Sequence, residues 1–129
     1  MKNIKQLEGI LKSQPYPLLF KIALMICVIT ICFLAFTVRE YDMGEHSYDK
    51  ANHFFAFFIL AFLIDFAYPR MAFAGAKINA LFGFAVFIEL VQYFLPYRSF
   101  SLIDIAADIV GVLFYLVLKR RIAAVRSLA

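Results

Sequence analysis

The sequence predicts an all-α membrane protein: an antiparallel bundle of four transmembrane helices with both termini in the cytoplasm. Three observations predict it. Apolar runs of 17 to 21 residues recur four times along 129 residues. Hydrophobic residues make up 64% of the chain and charged residues only 17%, more apolar surface than a soluble domain of this size can bury, so lipid is the expected solvent. The basic residues flank the apolar runs, as topology signals do, and form no stripe suited to nucleic acid.

Residues 1–17 are short, basic and polar, with Lys2, Lys5 and Lys12 against Glu8, and resemble the start of a secretory signal. The run that follows, Leu18 to Val38, is 21 residues long with Lys21 as its only charge. A signal core is shorter, and no clean small-x-small cleavage site follows it. A retained first helix over 18–38 is therefore expected, with Lys21 snorkelling to the interface. Cys27 and Cys32 lie five apart on that helix, facing roughly 140° away from each other, so they cannot bridge locally. Their spacing is neither a zinc nor a CxxC pattern, and both read as small packing residues.

A polar loop from Arg39 to Tyr48 turns at Gly44, and Ser47 is placed to cap the next helix. The second helix is expected over 51–68, with His53 near its start, Asp65 near its end and Pro69 closing it. The loop to Lys77 holds Arg70 and Gly75. The third helix is expected over 78–95, interrupted by Glu89 and Gln92. A tight connection, Pro96 to Ser101, leads to a fourth over 102–118, carrying Asp104 and Asp108, and Lys119-Arg120-Arg121 stops that run. Runs of this length give about 26 Å of helix, enough to cross a bilayer without much tilt. Lys2, Lys5, Lys12, Lys21, Arg70, Lys77 and the four basic residues of the tail fall on one side, against Arg39, Lys50 and Arg98 on the other. The positive-inside rule then puts both termini in the cytoplasm.

With that topology, Asp49, Lys50, His53, Glu89, Gln92, Arg98, Asp104 and Asp108 all converge at the outer end of the bundle. Asp49 and Asp104 also suit first helical turns, where the helix dipole welcomes a carboxylate, and Ser101-Leu-Ile-Asp104 is close to a capping box. Gln92 suits interhelical hydrogen bonding, and Ala107 and Gly111 suit close helix approach. Glu89 and Asp108 lie inside apolar runs, where a carboxylate needs a partner or a proton. Asp65 lies ~18 Å below His53 and is expected to pair with the basic inner rim. Asp49, Glu89, Asp104 and Asp108 bring four negative charges against the two positive charges of Lys50 and Arg98. Either a carboxylate stays protonated, or His53 is charged, or a cation binds. No HExxH or comparable ligand motif is present, so no metal is expected, and no cofactor is expected either.

Asp49-Lys50-x-x-His53-Phe54-x-x-Phe57, Glu89-x-x-Gln92-x-Phe94-x-Pro96-x-Arg98 and Asp104, then Asp108 and Gly111, together resemble the VanZ-like family of small bacterial membrane proteins. The resemblance covers roughly residues 20–118, within a single domain of 1–129. The family often has Asn where this chain has Asp108. The resemblance implies a multi-pass protein of the bacterial inner membrane with this polar motif as its site. It also implies a biological neighbourhood, glycopeptide antibiotic resistance and surface polysaccharide, rather than a reaction.

The first expectation for function is thus an outer-facing site that binds or modifies a cell-envelope component. The ligand would be a lipid-linked saccharide, a phospholipid head group or a lipopeptide. As an enzyme, the site would use Glu89 or Asp108 as acid or base and His53 as proton carrier. Asp49, Lys50, Gln92, Arg98 and Asp104 would bind the ligand, with Arg98 and Lys50 holding an anion. No Ser or Cys nucleophile is evident. The alternative is a structural or assembly subunit whose polar cluster orders the helices, acting with membrane lipids and a protein partner or a second copy. A proton conduit is the weakest reading, because only Asp65 continues the polar path inward.

Overall fold

The computed structural model describes residues 16–38 and 46–128. Within them the chain is all-helical, with no strand. Helix α1 spans Tyr16–Phe36, α2 His46–Ala67, α3 Ile78–Phe94 and α4 Leu102–Leu128. Three stretches are long and apolar enough to cross a membrane: Pro17–Phe36, Asp49–Ala67 and Phe73–Phe94. The basic N-terminal segment and the loop around Gly44 lie outside the described residues.

Two helix boundaries differ from expectation by more than two residues. Helix α2 begins at His46, so Ser47 sits inside its first turn rather than ahead of it. Helix α4 runs ten residues past the expected Leu118, to Leu128. Lys119-Arg120-Arg121 ends the apolar run but not the helix. The tail is built of good helix formers, with neither Gly nor Pro to break it, and Arg126 in its last turn suits the dipole.

Helix α2 is central, packing most extensively on α4 and then on α1. Its buried stripe, Phe57, Leu60 and Ala61, joins Leu81, Ala85 and Ile88 of α3 and Val112 and Tyr115 of α4 in one core. Helix α1 adds Leu24, Cys27, Val28, Ile31 and Ala35, spaced three or four apart on one face. Cys27 and Cys32 are free thiols, and Cys27 packs against the core.

The α2–α4 contact is backbone on backbone. A Cβ built on Gly111 would lie 2.3 Å from the Phe54 carbonyl oxygen and 3.2 Å from the Phe58 nitrogen. Only glycine permits that approach. On either side Phe114 packs against Phe54 and Phe58, and Tyr115 against Phe58. Between α2 and α3, the segment Phe73–Lys77 reverses the chain through Gly75, at φ +97° and ψ −113°, a conformation that suits glycine. The reversal turns Lys77 inward, where it is 2% exposed.

Gly111→Ala is expected to destabilise the protein by about 1–3 kcal/mol, because α2 and α4 must move apart. Gly83→Ala, with nothing within 4 Å of its added carbon, is expected to be neutral or mildly stabilising. Melting temperatures of the two variants in one detergent check this.

Candidate functional site

The bundle has two polar poles, and each is built around a carboxylate of the α2–α4 pair. The pole at the start of α2 and α4 holds the residues singled out in the sequence. Asp104, Asp108 and Gly111 lie along one stripe of α4 facing α2, so the glycine contact brings His53 against both aspartates. His53 Nδ1–H donates to Asp108 Oδ1 at 2.8 Å, and His53 Nε2 lies 3.7 Å from Asp104 Oδ2. Asp49, one turn before His53, offers a carboxylate oxygen to the same group.

Glu89 is fully buried, and its Oε2 accepts the Ser101 backbone N–H at 2.9 Å. Ser101 in turn caps α4, its Oγ accepting from the Asp104 N–H in a long 3.4 Å contact. In a complete capping box the acid at the Asp104 position would bond the Ser101 N–H. Glu89 takes that place from another helix, which leaves the Asp104 carboxylate turned to His53. Among the described residues, Glu89 Oε1 and Asp108 Oδ2 are buried without a hydrogen-bond partner. That is costly for carboxylate oxygens.

Gln92 and Arg98 reach the same pole but point at α1. Gln92 Nε2 donates to the Ala35 carbonyl at 3.0 Å, and Arg98 Nη2 to the carbonyls of Leu34 and Thr37 at 3.0 and 3.1 Å. Tyr97 OH donates to the Phe36 carbonyl at 2.7 Å. Together they satisfy the orphan carbonyls at the end of α1. Tyr97 was not singled out in the sequence, because nothing there indicates that α1 ends beside the α3–α4 loop.

Two cavities of about 250 Å³ each open at this pole, one mainly apolar with a polar edge and the other polar. One is lined by Asp49, Asn52 and His53 among apolar residues of α1, α2 and α3, and the other by Lys50, Ser99, Ser101 and Asp104. Asp49, Gln92 and Arg98 line both. A third, apolar groove of about 190 Å³ runs between α3 and α4, with Asp108 the sole charged side chain among those lining it.

The opposite pole is fully paired. Lys77 Nζ donates to Asp65 Oδ1 at 2.8 Å, while Tyr115 OH and Lys119 Nζ donate to Oδ2 at 2.7 and 2.6 Å. Both lysines lie over the Phe73 ring, 5.9 Å from its centroid. The sequence placed Asp65 against basic residues. It did not mark Lys77 as buried, which depends on the reversal at Gly75, nor Tyr115 as a partner, which depends on the α2–α4 contact.

No family model and no solved structure matches the chain. A protein of the fission yeast Schizosaccharomyces pombe, itself described as uncharacterized, is 36% identical over 87 residues. The match takes in 60% of this chain and 53% of that protein. The chain thus spans about half the length of the curated relative it matches.

Asp65→Asn is expected to destabilise the fold by about 3–5 kcal/mol, because Lys77 would be left buried without a counter-charge. A fall in melting temperature, with the helical circular dichroism signal unchanged at low temperature, is the expected reading.

Proposed function

We propose that this chain is a four-span integral membrane protein of the VanZ-like type, with both termini cytoplasmic. In this reading it lies in the bacterial inner membrane, and its polar pole faces outward to bind or modify an amphiphilic envelope component. The observation that carries the reading is the asymmetry of the poles. One is a paired cluster in which Lys77, Tyr115 and Lys119 all bond Asp65. The other combines open cavities edged by polar side chains with buried carboxylate oxygens that have no partner among the described residues. Unpaired polarity of that kind destabilises a fold and accumulates where a ligand is handled.

A membrane setting is supported by α4 as well as by the three plainly apolar stretches. Its two aspartates face the bundle, 8% and 1% exposed, while Leu102, Ile103, Val110, Leu113, Phe114 and Val117 face out. The helix therefore presents hydrocarbon to its surroundings despite its charges. The unequal distribution of Lys and Arg supports cytoplasmic termini.

An amphiphile suits the cavities. Each cavity at this pole is smaller than a site for a drug-sized ligand and matches a head group, and the apolar α3–α4 groove ending at Asp108 suits a lipid tail. Lys50, exposed at the rim, is better placed than Arg98 to meet an anionic group, since Arg98 Nη2 is committed to carbonyls. Lipid-linked saccharides and phospholipids occur in yeasts as well as bacteria, which fits a fungal relative better than a purely bacterial wall target does. If chemistry follows binding, Glu89 or Asp108 is the acid–base group and His53 carries the proton.

A structural role has an observation of its own in favour, the use of Gln92 and Arg98 to cap α1. Binding of a polyprenyl-phosphate-linked saccharide to the detergent-solubilised protein separates the two readings. Lys50→Met and Glu89→Gln are expected to weaken binding about tenfold or more, roughly 1.4 kcal/mol. Unchanged affinity in both variants contradicts the ligand-site reading.

A further inference from the structure

His53 is held from one side only. The Asp108 carboxylate accepts from Nδ1–H, and Nε2 faces Asp104 across 3.7 Å, too far for a hydrogen bond. This is how proteins prepare a metal-binding histidine: a carboxylate holds one ring N–H, fixes the tautomer and orients the other nitrogen. What Nε2 faces is right for a cation. One ligand atom from each of Asp49, His53 and Asp104 lies within 4.8 Å of the others. Metal–ligand distances of about 2.0–2.2 Å in a tetrahedral site place ligand atoms about 3.3–3.6 Å apart, so the group would close by about an ångström around an ion.

Among the described residues, carboxylates outnumber the positive charges at this pole, where Lys50 and Arg98 line the cavity of Asp49 and Asp104. Glu89 is close enough for the charges of Asp104, His53 and Asp108 to act on it. Its Oε1 and Asp108 Oδ2, on residues 0% and 1% exposed, have no partner among the described residues. Two carboxylates beside the imidazole, with two further buried carboxylates behind them, leave an excess of negative charge that a dication would offset. The group is also reachable, since Asp49 lines both cavities of this pole, His53 one and Asp104 the other.

We propose that Asp49, His53 and Asp104 bind a divalent cation of the zinc or manganese class, with Asp108 positioning His53, and that the open side of the ion receives an anionic oxygen of the ligand. The sequence carries no ligand motif because the three residues come from one turn of α2 and the start of α4, and meet only through the Gly111 contact. The identity of the ligand rests on the function proposed above; the ion does not.

The test is metal content by mass spectrometry of the full-length protein, loaded with zinc or manganese in detergent and then gel-filtered. The wild type is expected to retain about one equivalent. His53→Gln, Asp104→Asn and Asp49→Asn are expected to fall at least tenfold, while Tyr97→Phe, whose hydroxyl bonds the end of α1, retains the wild-type amount. Circular dichroism and elution volume identify any variant that fails to fold, and the half-exposed Asp49 position keeps the test available if the others do. Less than about 0.1 equivalent on the wild type, or equal retention by all variants, overturns the proposal. His53 is then a charged clamp between two aspartates. Undiminished saccharide binding after chelation removes the ion and keeps the ligand reading. Metal retention without saccharide binding does the reverse.

Discussion

The close approach of α2 and α4 at Gly111 is the constraint on which the rest depends. The missing side chain lets the α4 backbone sit on the Phe54 carbonyl. On the same stripe of α4, Asp108 and Asp104 then meet His53, and Tyr115, one turn in the other direction, meets Asp65. Both polar poles are thus organised by a single helix pair. Helix α3 joins them from the side, bringing Glu89 to one pole, while the segment that precedes it brings Lys77 to the other. Helix α1 docks by a stripe of small and aliphatic side chains, and its C-terminal carbonyls are closed by Gln92, Tyr97 and Arg98.

The two poles solve the same problem differently. Around Asp65 every charged atom has a partner, and the aromatic ring of Phe73 lies beneath both lysines. Such a cluster does not add stability over a well-packed apolar one, but breaking it is costly, and it fixes which helices meet. Around His53, two carboxylate oxygens are buried with no partner among the described residues. A fold under selection for stability alone has no reason to keep Glu89, because a neutral side chain there accepts the Ser101 N–H equally well.

Much of this was legible in the sequence. The four apolar runs mark the helices within a few residues, except where the basic tail of α4 continues as helix. The positions of His53, Glu89, Asp104 and Asp108 within those runs mark one end of the bundle, since run length and helical rise set depth. Partner choice was not legible. Arg98 reads as an anion-binding residue until α1 is seen to end beside it. Lys77 reads as a loop charge until Gly75 turns it inward. Asp104 reads as half of a capping box, yet Glu89 occupies that role from another helix. Each of these depends on contacts between segments far apart in sequence, which periodicity and spacing do not encode.

The central claim is that the buried carboxylates of the His53 pole are retained for function rather than for folding. Thermal unfolding of Glu89→Gln against wild type, in one detergent, tests it most directly. The amide keeps an acceptor for the Ser101 N–H, removes a buried charge and turns a donor toward the neighbouring carboxylates. The account predicts an equal or higher melting temperature. A fall of more than about 4 °C, roughly 1 kcal/mol for a domain of this size, would mean that the charge belongs to a stabilising network and would contradict it.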